Sequence, residues 1–230
     1  MFFNFNMTKN LITGITGFVG SHLAEHLLKE KEKVYGTYRW RSPRDNIKGI
    51  ENKLTLVPCE LRDYASVLDA VEKVNPDVIY HLAAQSYVKD SYGQAVSTVE
   101  TNVGGTINLL NAVKRSRDGG GTDPTIHICS SSEVYGQPRD DELPIKETNP
   151  LRPASPYAVS KVGEDMAGLQ YFLTDGLKTI RTRMFTHTGP KRGEVFVVSA
   201  FAKQVAKIEK ELQDPIMFPT GNMSLLFPSC

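Results

Sequence analysis

The sequence predicts a doubly wound α/β domain, a mainly parallel sheet with helices on both faces. Three observations carry this. Short apolar runs recur at residues 11–13, 34–38, 54–57, 78–82, 126–129 and 179–183, with helical patterns between most of them. That alternation is the signature of parallel strands joined by crossover helices. The first run leads into Gly14, Gly17 and Gly20 and then into Phe18, Val19, Leu23, Leu27 and Leu28 at helical spacing, a strand–turn–helix junction. Further along, Ser155 and Pro156 open a long helix carrying Tyr157 and Lys161.

At the first junction the glycines have distinct uses. The first allows a tight turn, the second lets backbone approach a pyrophosphate, and the third permits close helix–strand packing. An anion then rests on the helix N-terminus, where free N–H groups and the macrodipole favour negative charge. A glycine-rich turn without a ligand is the alternative. The second strand, 34–38, ends in Arg39, Trp40 and Arg41 instead of an acidic residue. An acid there would bond the ribose hydroxyls of NAD, whereas arginine accommodates the extra phosphate of NADP, so NADP is expected over NAD. Arg39, Arg41, Arg44 and Lys48 also read as a solvated basic loop or a weak nucleic-acid patch. A net charge of +1 with no wider basic stripe argues against nucleic acid.

At the long helix, Ser155 reads as the N-cap and Pro156 as the first helical residue, whose missing N–H would be unsatisfied there anyway. Residues four apart share a helical face, which sets the Lys161 ammonium beside the Tyr157 phenol. A free tyrosine titrates near pH ~10, so a usable base near neutrality needs a shift of roughly 3 units, or ~4 kcal/mol. A nearby cation favours the phenolate. On spacing alone, an ordinary surface pair fits Tyr-x-x-x-Lys equally well.

Four further stretches follow predicted strands, at the edge where ligands bind in open α/β sheets. They are HLAAQS at 81–86, SSSEVYG at 130–136, RMFTHTGP at 183–190 and RGEVFV at 192–197. With the glycine turn and Tyr157/Lys161, they make the chain resemble the Rossmann-type extended short-chain dehydrogenase/reductases of the nucleotide-sugar branch. The resemblance covers nearly all of 9–222. It is strongest to the GDP-mannose 4,6-dehydratases, with the GDP-4-keto-6-deoxymannose reductases next.

The resemblance implies an NADP-dependent enzyme acting on a GDP-sugar. It implies Ser131, Glu133, Tyr157 and Lys161 as catalytic residues. Gly14, Thr16, Gly17, Phe18, Val19, Gly20, Arg39, Glu60, Leu61, Leu82, Ala83 and Ala84 would hold the cofactor together with Tyr157 and Lys161. Gln85, Ser86, Thr186 and Arg192 would meet the substrate together with Ser131 and Glu133. In this pattern Lys161 holds the nicotinamide ribose and depresses the Tyr157 pKa. Glu133 takes the acid/base position that separates a dehydratase from an epimerase. Its other readings are a solvated loop carboxylate or the glutamate of a sugar-nucleotide decarboxylase. The resemblance also implies homodimers or homotetramers, with the helix at Pro156 and the one around 98–115 at the contact.

Two departures stand out. Thr186 occupies the place of an asparagine that helps hold the substrate diphosphate, and the sequence closes on an unmatched apolar stretch, 223–230, where the family continues. The expectation is an NADP-binding domain at 1–185 and the start of a sugar-nucleotide-binding region at 186–230, with cofactor bound better than substrate is turned over. Rivals are a 4-keto-sugar reductase, another sugar-nucleotide epimerase or decarboxylase, and a catalytically silent nucleotide-binding form.

No window is apolar enough for a membrane span, and the N-terminus lacks a signal-peptide pattern, so a cytoplasmic protein is expected. Cys59, Cys129 and Cys230 are odd in number and widely spaced, as reduced thiols are, and Cys129 reads as a core residue. The five histidines show no metal-ligand spacing, and no metal is assigned. Residues 117–124 read as a mobile glycine-rich connector, and 197–212 as an amphipathic helix with a lysine-rich outer face.

Overall fold

The computed structural model describes residues 7–214; the apolar stretch at 223–230, with Cys230, lies outside them. Strands β1 (Lys9–Thr13), β2 (Lys33–Tyr38), β3 (Thr55–Pro58), β4 (Val78–His81), β5 (Thr125–Ser131) and β6 (Lys178–Met184) form one sheet in the order β3-β2-β1-β4-β5-β6. Every pairing is parallel. The expected sheet was mainly parallel; the observed one has no antiparallel pair among the described residues.

Successive strand residues point to opposite faces, and the core divides accordingly. Leu11 and Ile79 join Val57, Leu110, Ile126, Ile128 and Leu177 on one face, where α2 (Tyr64–Val74), α5 (Gly105–Asp118) and α6 (Pro156–Asp175) pack. Ile12 turns the other way to meet Ile15, Ala24, Leu27 and Val34 under α1 (Phe18–Lys29). Both faces are thus covered by helices, and the strand order reverses between β1 and β4. In such sheets that switch point is where ligands bind.

Helix ends follow their caps. Asp63 Oδ1 accepts from the Ala65 N–H to open α2, and Ser155 Oγ accepts from the Ala158 N–H to open α6 with Pro156 in its first turn. Helix α6 ends at Gly176 in the left-handed region, φ +66°. One structural pair then fixes α6 to the sheet: fully buried Asp165 accepts from Arg181 and from Arg183 Nε (2.8 Å), both on β6. Arg183 reaches on to the Tyr135 hydroxyl and the Glu147 carbonyl.

Four expectations need correction. The helix around 98–115 is three pieces, α4 (Ala95–Val99), a π-helical turn Glu100–Gly104, and α5, which runs on to Asp118. The connector therefore begins at residue 119, and it is tied down: the Thr122 N–H donates to Asn75 Oδ1 at 2.8 Å. Cys129 is not in the core, because alternation along β5 buries Ile126, Ile128 and Ser130 instead; the buried thiol is Cys59. Helix α7 (Val197–Glu209) ends before 212 and buries none of its residues. No described helix is long and apolar enough to cross a membrane.

Candidate active site

The chemistry-bearing residues gather at the C-terminal edge of the sheet. After β1 the chain turns at Gly14 with φ +69°, a conformation side-chain-bearing residues rarely adopt. A Cβ there would lie 2.9 Å from Ala83 Cα, and one at Gly20 would lie 2.6 Å from the Gly14 carbonyl oxygen. The turn and α1 thus approach closer than any side chain permits. Gly17 caps α1 with no side-chain hydrogen bond and no acidic residue in the first turn, which leaves the helix N-terminal N–H groups for an anion.

Thr13 locks this turn to the end of β4. Its Oγ1 accepts from the Leu82 and Ala83 N–H groups, both at 3.1 Å, so its single proton goes to His81 Nδ1, 2.8 Å away. That assigns the His81 tautomer: Nε2 carries the proton and donates to Thr106 Oγ1 at 3.0 Å, and Thr106 donates to the Asn102 carbonyl. His81 is 2% exposed, and burial, with Lys161 adding to it, pulls its pKa down to about 3. A neutral, buried histidine contributes stability that is complete above its ordinary value of 6.5 and is lost as pH falls toward about 3. At about 1.4 kcal/mol per unit, this amounts to roughly 4–5 kcal/mol over the whole interval. Urea unfolding between pH 7 and pH 4 should show the wild type losing stability more steeply than His81→Gln; parallel curves would remove His81 from the acid response.

Arg39 and Arg41 lie past β2, with Trp40, Ser42, Pro43, Cys59 and Glu60, around a cleft of about 530 Å³. Neither is in an ion pair among the described residues. Arg44 is committed elsewhere, to Glu51 at 2.7 Å and over the Tyr38 ring at 4.3 Å. Asn46 ties this loop to the glycine turn by donating to the Thr16 carbonyl. Glu60 lines the cleft, whereas the Leu61 side chain is buried in the core against Gly105.

Ser131, Glu133, Tyr157 and Lys161 come together where β5 meets α6. The Tyr157 phenol is 9% exposed, and Lys161 Nζ is 5.8 Å from its ring centroid. Lys161 Nζ donates to the Cys129 carbonyl (2.9 Å) and to Glu164 Oε2 (3.0 Å). Burial raises the Tyr157 pKa; Lys161 and the Ser131 hydroxyl pull it down, and Glu164 pushes it further up. The net direction is upward, so the expectation that Lys161 depresses it is met by the sign of the lysine's effect and overturned in the balance. Glu133 sits one turn past β5, its N–H on Ser131 Oγ and its Oε2 accepting from Ser155 at 3.4 Å. Partial burial raises its pKa against that hydrogen bond.

The expected substrate residues divide. Gln85 turns its side chain onto the Tyr87 backbone, accepting from the Tyr87 N–H at 2.8 Å, while its own N–H is held by Asn102 Oδ1. Ser86 and Thr186 are exposed. Arg192 packs on Phe196 at 3.9 Å and above Phe18, the first residue of α1, at 5.4 Å, so it borders the phosphate turn as well as the expected substrate side. Asn102 was missed. Its Nδ2 donates to Ser160 Oγ at 2.8 Å and to the Gln85 carbonyl, binding the π-helical turn to α6 and the β4 loop. A buried asparagine inside a helical run carries no pattern that would single it out.

Glycine turn, open helix N-terminus and a paired tyrosine and lysine at the switch point define a Rossmann-type short-chain dehydrogenase/reductase. A family profile, GDP-mannose 4,6 dehydratase, matches residues 11–225. The GDP-mannose 4,6-dehydratase of Yersinia enterocolitica is 35% identical over 96% of this chain and 60% of its own length. The GDP-6-deoxy-D-mannose reductase of Pseudomonas aeruginosa is 34% identical over 90% of this chain and 62% of its own. A solved structure of RMD from Pseudomonas aeruginosa complexed with NADPH superposes with a TM-score of 0.71 at 31% identity, over 90% of this chain and 63% of that one. With its profile match spanning almost the whole sequence, this chain belongs to the GDP-mannose 4,6-dehydratase family. It spans about three-fifths of the length of these relatives.

Proposed function

We propose that the protein is an NADP-dependent dehydratase of a GDP-hexose, GDP-mannose first among candidates, acting in the cytoplasm with its thiols reduced. The observation that supports this most is Glu133, an exposed carboxylate at the mouth of α6 that accepts from Ser155 and sits beside Ser131. Oxidation at C4 alone needs the tyrosine, the lysine and a hydroxyl; an additional acid/base is what water loss requires.

The cradle fits a dinucleotide, since Gly14 and Gly20 let the turn pack closely on the strand ends and the Gly17 cap leaves the α1 N-terminus without a side-chain partner or a nearby acid. Gly17, Thr16, Phe18 and Val19 would meet the pyrophosphate, Leu82, Ala83 and Ala84 the strand-end side, and Arg39 with Glu60 and Leu61 the adenosine end. When bound, the nicotinamide supplies a reversible hydride acceptor for the sugar. Tyr157 takes the 4-hydroxyl proton, and Ser131 hydrogen-bonds the same oxygen. Lys161 would donate the one N–H its two partners leave over to a ribose hydroxyl of the cofactor. The resulting ketone acidifies the neighbouring C5 hydrogen, and Glu133 would move that proton as the C6 hydroxyl departs as water. The alkene left between C5 and C6 would then take the hydride back at C6 and a proton at C5, so the sugar undergoes no net oxidation. Gln85, Ser86, Thr186 and Arg192 would border the sugar nucleotide. Residues 1–185 form the cofactor domain in this reading, and 186–230 begin the substrate region. Exposed Tyr92, Val96, Val99 and Val159 give α3 (Val88–Gly93), α4 and α6 an apolar surface suited to a homodimer or homotetramer.

Incubation with GDP-mannose and substoichiometric NADP, followed by mass spectrometry, tests the reading. Loss of water without net cofactor reduction is the expected result. Stoichiometric NADPH consumption would mark a reductase, and bound cofactor with unchanged sugar a silent binder.

Cofactor choice is checked separately. Arg39→Ala combined with Arg41→Ala should weaken NADP(H) by about 1.5–3 kcal/mol per lost charge-assisted contact and leave NAD(H) nearly unchanged. Equal calorimetric affinity of the unmutated protein for both dinucleotides would refute the preference.

A further inference from the structure

Helix α6 buries a carboxylate that the proposed chemistry does not use. Glu164 is 1% exposed and lies three residues after Lys161, whose ammonium donates to its Oε2 at 3.0 Å. The other oxygen, Oε1, is buried with no hydrogen-bond partner. Its neighbour Asp165 is also buried but is matched by two arginines, whereas Glu164 has a single cation. That cation is the one aimed at Tyr157. A carboxylate with one oxygen unsatisfied costs stability, and a leucine would pack at less cost, so its presence invites a functional reading.

We propose that Glu164 is a positioning residue for Lys161: it anchors the ammonium against β5 and, as its counter-charge, sets how readily the Tyr157 phenol ionises to the phenolate that takes the substrate proton. The inference rests on the Tyr157–Lys161 pair of the proposed function but on no particular substrate. An isolated ammonium near a buried phenol favours the phenolate; an ammonium with a carboxylate 3.0 Å away acts as a dipole, whose field at the phenol is far weaker.

The surrounding charges leave this pair in control. Burial raises the Glu164 pKa, and on α6 Lys161 lowers it while Asp165 adds to the rise; burial with Asp165 outweighs Lys161 and holds Glu164 at about 7. From β5, Cys129 acts on Lys161 and Tyr157. From β4, His81 feels Lys161 and stays neutral. From β6, Arg181 and Arg183 are spent on Asp165. The loop after β6 adds Arg192, which feels Tyr157. The segments α3 and the π-helical turn meet this end of α6 through uncharged Ser91 and Asn102. Proton uptake by Glu164 near neutral pH therefore uncovers the lysine charge and eases ionisation of Tyr157.

The test reads Tyr157 itself. Phenolate ultraviolet absorbance is titrated in the wild type and in Glu164→Gln, each with Tyr157→Phe subtracted to remove the other tyrosines. Gln keeps the shape and an acceptor for Lys161 but removes the charge. Its Tyr157 midpoint should fall by one unit or more, tenfold more phenolate at a fixed pH. Glu164→Asp withdraws the carboxylate by one methylene and should move the midpoint the same way by less; it carries the test if the Gln variant does not fold. A purely structural Glu164 would change unfolding stability and leave the titration where it is. A midpoint unmoved or raised in a folded variant overturns the proposal. Neither cofactor nor sugar nucleotide is needed, so absence of dehydration would count against the proposed function and leave this result standing.

Discussion

Glu133→Gln should bind dinucleotide as the wild type does while water loss from the sugar falls by about 10²–10⁴-fold, the usual contribution of a positioned acid/base. The amide preserves the shape, and the backbone N–H of residue 133 still donates to Ser131 Oγ, so the turn after β5 is not disturbed. What disappears is the proton. Partial burial raises the Glu133 pKa, which makes its carboxylate a stronger base than a free glutamate and suits it to take the C5 proton and hand it to the departing hydroxyl. Activity that depends on this carboxylate form should be lost as pH falls through the raised value, and the variant's residual activity should lack that limb. Product mass spectra and cofactor calorimetry on the same samples check both halves. Unchanged dehydration would take Glu133 out of the mechanism and favour the reductase reading.

Asp165→Ala should be the most destabilising single change in the fold. The carboxylate is fully buried and receives Arg181 and Arg183 together. Removing one partner of a buried pair costs about 3–5 kcal/mol, because the remaining charge is left without a match. Arg181 and Arg183 keep 27% and 15% side-chain exposure, so relief by solvent places the cost near the lower end, about 3 kcal/mol. That corresponds to a drop of roughly 6–12 °C in Tm for a chain of this size. Because Arg183 also holds Tyr135 and Glu147, the loss should loosen the segment that follows Glu133. Thermal melts with a Tm change under about 2 °C would show that the clamp contributes little.

The six strands are legible because each is a short apolar run ending in turn residues, and their bounds shift by two residues at most; the third slides from 54–57 to Thr55–Pro58, and the fifth lengthens from 126–129 to Thr125–Ser131. The opening of α6 is legible to the residue, since serine and proline mark an N-cap and first turn through local chemistry alone. The break at Glu100–Gly104 is not, because a π-helical turn keeps helical dihedrals and changes only which carbonyl each N–H finds. Tyr157 and Lys161 are visible through i,i+4 spacing. Glu164 is not, since a glutamate amid a helix reads as solvated until packing buries it. Arg44 looked equivalent to Arg39 and Arg41 in sequence; only the fold brings Glu51 to it. His81 shows the same limit, as its tautomer is set by Thr13 and Thr106, 68 and 25 residues away.

In the function proposed above, one hydride would leave C4 and come back to the same sugar at C6, with Tyr157, Lys161, Ser131 and Glu133 moving or positioning the protons. GDP-mannose deuterated at C4 tests it most directly. With unlabelled NADP present in small amount, the dehydrated product should carry the deuterium at C6, and the recovered cofactor should carry none. Deuterium accumulating on the nicotinamide, or lost to solvent while water is eliminated, would contradict the account.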